Sequence, residues 1–252
     1  MRIDYAAPKD IPALTRLWQD CFGDSEAFIR LFFDTAYAPE RCRCVFEEDT
    51  PAAALYWFDV YCRGQKMAYI YAVATDPAHR GKGFCRALLA DTHAVLTREG
   101  YRAAMLVPEG EALRRMYAGF GYEPGTTAVE VTCEAGGDPV AFRTIGREEF
   151  ALRRRRMLPA GGVIQEGENL LYLEHQTAFV AGEGFLAAVH LKGEEAFFQE
   201  FLGDAAKLPG LLAALGAKWA TARCPGNGKE FAMFLPLDPG AEKPGYFAFA
   251  FD

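Results

Sequence analysis

The amino-acid sequence predicts an α/β (α+β) protein in which a mixed, mainly antiparallel sheet flanked by helices is followed by a second, smaller α/β domain. Three observations carry this expectation. Three β-rich runs follow one another between residues 42 and 77 with only short turns between them, and amphipathic helical runs stand on either side. The second half then repeats the order strand, strand, helix, strand, strand. A length of 252 residues exceeds the roughly 100–200 of an ordinary domain, and an apolar content of 51% is enough for two cores. The break at Glu134-Ala135-Gly136-Gly137-Asp138-Pro139 sets the expected domains at 1–135 and 140–252, although a long hairpin turn inside one sheet fits the same residue types.

Residues 2–7 read as a short strand, and Pro8 and Asp10 open a helix through Leu14, Leu17 and Trp18, apolar at helical spacing. A second helix covers about Glu26 to Tyr37. The runs 42–49, 52–63 and 66–77, rich in β-branched and aromatic residues, predict three antiparallel strands. Gly83 to Arg98 is a helix with Gly100 as its stop, followed by a strand at 102–108, a helix at 110–122 and a strand at 126–133. In the second half, 147–158 predicts a helix, and 170–174, 178–181 and 185–191 predict strands. The run 182–204 holds two strands leading to a helix over about 205–215; strands at 218–223, 231–237 and 246–251 complete the chain.

Composition narrows the function. No run reaches the roughly 18 apolar residues of a membrane helix, and MRIDYAAPKD lacks the apolar core of a signal peptide, so a cytoplasmic protein without membrane partners is expected. Seven cysteines without a CxxC pair read as reduced thiols, and four scattered histidines without ligand spacing predict no metal site. A formal charge of −7 disfavours a nucleic-acid partner. The run Arg153 to Arg156 faces several directions around a helix, so a solvated face paired with acids such as Glu148 and Glu149 is preferred to a nucleic-acid patch.

The stretch AHRGKGFCRALL (78–89) carries the chemistry. Small residues ahead of a helix start leave backbone N–H groups exposed beside the positive end of the helix dipole, an anion site strengthened here by Arg80 and Lys82. The motif is neither GxxxxGK[ST] nor GxGxxG with a following acidic residue, which disfavours a nucleotide P-loop and a dinucleotide fold.

Arg80-Gly81-Lys82-Gly83-Phe84-Cys85 after AVATDPAH, with Tyr117-Ala118-Gly119-Phe120-Gly121-Tyr122 two elements later, resembles the GCN5-related N-acetyltransferase (GNAT) family over about residues 1–135. One residue departs from the pattern, since Cys85 stands where the family has glycine or alanine. The resemblance implies a GNAT-like fold with a degenerate GNAT-like second half, and acetyl-CoA as co-substrate. Arg80, Gly81, Lys82, Gly83, Phe84, Cys85 and Arg86 would then hold its pyrophosphate, and the strand end Val73, Ala74 and Thr75 its pantetheine arm. It implies direct attack by a primary amine, small molecule or peptide, on the thioester, with Tyr117 protonating the leaving thiolate. The family's glutamate on the strand before the glycine turn is missing, because MAYIYAV has no carboxylate. Glu47, Glu48 and Asp59 are candidate bases. A likeness to multi-domain bacterial GNAT proteins of the enhanced-intracellular-survival type adds Asp252, whose terminal carboxylate would reach the site. The alternatives are a catalytically silent acyl-CoA sensor and, from the arginine run, a nucleic-acid binder.

Overall fold

The computed structural model describes residues 1–251, which form two compact units. The first unit holds Met1–Leu106, Gly110–Tyr122 and Phe234–Glu242. It opens with β1 (Arg2–Tyr5), and the Ala7 N–H donates to Asp10 Oδ2 at 2.8 Å as the chain turns into α1 (Ile11–Phe22). Pro12 is pre-set for the first helical turn, and Gly23 at φ 75° closes the helix. α2 (Glu26–Thr35) is capped by Ser25, whose hydroxyl accepts the Phe28 N–H at 3.2 Å. The buried faces of the two helices meet in an aromatic cluster in which the Trp18, Phe32, Tyr56 and Tyr71 rings stand 5.0–5.7 Å apart.

Next come β2 (Cys42–Glu47), β3 (Thr50–Cys62) and β4 (Gln65–Thr75), paired antiparallel through two-residue turns at Glu48-Asp49 and Arg63-Gly64. All four turn residues have positive φ, the backbone that matches the twist of the flanking strands. α3 (Phe84–Arg98) crosses over to β5 (Ala103–Leu106), which is parallel to β4, and α4 (Gly110–Ala118) follows.

A two-residue strand, β6 (Glu123–Pro124), leads to β7 (Thr127–Glu134), β8 (Phe142–Thr144), α5 (Arg147–Met157) and α6 (Glu168–Glu174). Then come β9 (Ala178–Gly182), β10 (Phe185–Lys192), β11 (Glu195–Gly203), α7 (Leu208–Leu215), β12 (Trp219–Glu230) and β13 (Met233–Pro236). The second unit's sheet has the order β7-β12-β11-β10-β9-β8, with its core between α7 and Phe185, Phe198 and Phe201.

The two sheets share one plan. β1 to β5 lie in chain order with antiparallel neighbours until the parallel pair β4/β5. β8 to β12 do the same and end on the parallel pair β11/β12. The next strand is exchanged: β13, from late in the chain, follows β5, while β7, which precedes β8 to β12 in the chain, follows β12.

Three expectations change. The strand at 126–133, placed in the first domain, pairs with β12 in the second unit, and the chain crosses over at about 122 instead of 135. Residues 170–174 are helical, because a short run that is apolar on every side looks the same as strand or buried helix. Residues 246–251 form no strand beyond one bridge, Gly162 to Tyr246; their alternating Phe-Ala pattern is buried, but their polar partners are loop backbone and side chains.

Candidate functional site

The site starts from an irregularity in β4. Tyr71 faces Tyr56 and Ala74 faces Ala54, so two residues, Ala72 and Val73, stand against Leu55 alone. Such a β-bulge breaks the ladder and re-aims the backbone. Ala72 takes φ 46°, a left-handed conformation that L-alanine rarely adopts, and both bulge residues are partly exposed in a strand otherwise largely buried. On the other side, β4 pairs with β5 only from Met67 opposite Ala103 to Tyr69 opposite Met105. The β4–β5 pairing ends at Tyr69, and Val73, Ala74 and Thr75 lie past that end.

The glycine turn follows at once. Asp76 accepts the Ala78 N–H at 2.7 Å and starts a short 3-10 turn, Pro77–His79. Gly81 at φ 77° and Gly83 at φ 82° then fold the chain into α3 through backbone that a side chain would strain. Gly83 caps α3 without a side-chain hydrogen bond, so the first-turn N–H groups of Phe84, Cys85 and Arg86 have no acceptor within the helix. Arg80 and Lys82 are exposed, while Phe84 is buried with the His79 ring stacked on it at 5.6 Å. The Arg80 Nε–H donates to the Thr75 carbonyl at 3.3 Å, and the Arg86 guanidinium lies over the Phe120 ring at 4.7 Å.

Tyr117, on α4, is 7% exposed, with Phe120 and Tyr122 edge-on to its ring at 6.3 and 5.9 Å. Burial pushes its phenol well above the usual range, and Cys85 adds to the shift, so the hydroxyl is a neutral donor near the start of α3. The Cys85 thiol is likewise raised by burial, against the pull of Arg86. Sequence reasoning missed His93, which shares a 2.8 Å hydrogen bond with the Tyr122 hydroxyl and is held near pKa 4 by burial. Its signal was slight, one histidine among the apolar positions of a helix.

The candidate bases are not grouped there. Asp59 stands opposite Ala68, about 16 Å along the strand from Val73. It is bound by Lys66 at 3.0 Å and by the Tyr101 hydroxyl at 2.5 Å. Glu47 is paired with His79, and Glu48 is in the exposed β2–β3 turn. Asp252 lies outside the described residues. Of the aromatic residues on β3, Tyr56 and Phe58 are buried in the cluster, and Tyr61 is exposed. Among the described residues there is no metal-binding cluster and no helix long and apolar enough to cross a membrane. The arginine run divides: Arg153 and Arg155 pair with Glu149 and Glu166, whereas Arg154 is buried against Glu200.

The sequence model of the acetyltransferase (GNAT) domain matches residues 2–125. The first half of this chain belongs to the GNAT family. Solved structures extend the likeness of fold beyond that half. A GCN5-related N-acetyltransferase from Kribbella flavida superposes with a TM-score of 0.72 at 18% identity, over 92% of this chain and 70% of its own. Another, from Anabaena variabilis, gives 0.70 at 15% identity over 94% and 73%. Eis1 from Mycobacterium abscessus gives 0.67 at 11% over 94% and 74%. Comparison with curated protein sequences gives no match. Residues 2–125 are thus a GNAT domain, which supports acyl transfer in general, and the likeness of fold extends over both units.

Proposed function

We propose that this protein transfers an acetyl group from acetyl-CoA to a primary amine. The observation that carries the reading is the junction of a bulged, splayed β4 with a glycine turn that ends on an uncapped helix start. The amides around Gly81 to Arg86, with Arg80 and Lys82, suit a diphosphate. The open edge of Val73 to Thr75 suits an amide-rich arm lying as an extra strand. The Val73 N–H, standing in the bulge, polarises the thioester carbonyl, a contribution of about 10²–10³ in rate. The neutral amine attacks the carbonyl carbon, the carbon–sulfur bond breaks, and Tyr117 gives its proton to the departing thiolate. The proton that the attacking amine loses passes to solvent.

Turnover should fall about 10²–10⁴-fold in Tyr117→Phe, with acetyl-CoA affinity by calorimetry unchanged; unaltered turnover removes Tyr117 from the acid role. The second reading, a silent acyl-CoA sensor, is favoured by the engagement of Asp59 with Lys66 and of Glu47 with the His79 ring. Release of free thiol from acetyl-CoA with a panel of amines separates the two. Binding without release for any amine selects the sensor.

A further inference from the structure

The second unit retains the cleft and lacks the anion turn. β11 runs parallel to β12 from Glu195 opposite Trp219 to Phe198 opposite Ala222, where the pairing ends, and Gln199 is an extra residue against β10. β4 and β5 have the same arrangement in the first unit. The connection into the helix differs: Asp204 caps a 3-10 turn, Ala205–Lys207, that runs directly into α7. Pro209, which has no N–H, stands in the first turn of α7, where the first unit presents amides.

The chain's own residues 245–251 lie over this opening. The Gly245 N–H donates to the Gly161 carbonyl at 2.8 Å, and the Val163 N–H donates to the Tyr246 carbonyl at 2.8 Å. Gln165, fully buried, engages both amide groups of Phe249: its Nε2 donates to the carbonyl at 2.9 Å and its Oε1 accepts the N–H at 3.1 Å. Arg223, the first β12 residue past the last pair, donates to the Ala248 carbonyl at 2.8 Å and to Gln199 Oε1 at 3.4 Å, fixing the segment above the splay. The Arg154 guanidinium, clamped by Glu200, lies over the Phe249 ring at 4.5 Å. The bonds that Gly161, Val163, Gln165 and Arg223 make with the segment all address its backbone, while its aromatic rings supply apolar contact.

We propose that the second unit is a peptide-binding cleft, filled in cis by residues 245–251, whose ligand class is an uncharged peptide with aromatic side chains at alternate positions, read through its backbone amides. This does not depend on the acetyl-transfer reading.

The test uses the full chain with a specific protease site inserted after Glu242, in an exposed stretch. After cleavage of the folded protein, a fluorescein-labelled peptide of residues 243–251 is added, and exchange is followed by anisotropy, with circular dichroism monitoring the fold. The expected result is retention of the cut segment at micromolar affinity, replacement by the labelled peptide, and at least tenfold weaker binding in Gln165→Met. Immediate loss of the segment without rebinding at millimolar peptide overturns the proposal. So does collapse of the fold upon cleavage, which makes the segment core and not ligand, or an affinity indifferent to Gln165→Met.

Discussion

At the scale of single residues, the sequence showed which side chains stand in the motif but not their ionisation. Tyr117 stands out because a tyrosine ahead of Gly-Phe is distinctive; the upward push on its phenol comes from burial, which no local pattern encodes. His93 shows the same limit. Held near pKa 4 in the fold against 6.5 when free, it stays neutral while the unfolded chain takes up a proton. The unfolded state therefore binds more protons between those values, and stability falls as pH drops from about 6.5 to about 4, by up to about 3 kcal/mol. Above pH 6.5 this contribution does not vary. Urea denaturation at pH 7 and at pH 4.5 should show wild type losing more stability than His93→Gln by up to that amount; identical losses would mean that His93 is not buried in its neutral form.

At the scale of elements, the strand, glycine turn and helix of the site were legible because Gly, Pro and an amphipathic run punctuate them directly. The bulge was not. Ala72 carries no signal of positive φ, and its conformation is imposed by pairing with β3 on one side and the parting from β5 on the other. The turn's glycines can be tested against a control in the same helix. Gly83 and Gly100, at φ 82° and 81°, flank opposite ends of α3, and an added Cβ meets nothing within 4 Å at either. The helix is about 22 Å long, so the two substitutions differ only in their distance from the amides. Gly83→Ala and Gly100→Ala should each cost about 1 kcal/mol in thermal denaturation. Only Gly83→Ala should weaken acetyl-CoA binding, by about tenfold or more; equal affinities would detach the turn from the coenzyme.

At the scale of the whole molecule, the repeated strand order predicted a second unit of the same kind, and the common plan of the two sheets agrees with it. The exchange of the last strands was not legible, since partner choice is a long-range property and Thr127–Glu134 alternates equally well for either sheet. A consequence follows for where the chain can be divided. Residues 237–242 are tied into the first unit by the Leu237 N–H to the Arg102 carbonyl at 2.9 Å, Arg102 to Asp238 at 2.8 Å, and Arg63 to Glu242 at 2.7 Å. A fragment of residues 1–135, natural by sequence, lacks these ties, leaves β5 with an open edge and carries β7 without its partner. Residues 1–125 joined by a short Gly/Ser linker to 232–242 retain them, and the Gly125 N–H to Ala232 carbonyl contact of 2.8 Å shows that the linker has little to span. The fragment 1–135 should aggregate or unfold without a cooperative transition, and the joined chain should unfold in a single one. Cooperative, monomeric unfolding of 1–135 would show that the exchanged strand is dispensable to the first sheet.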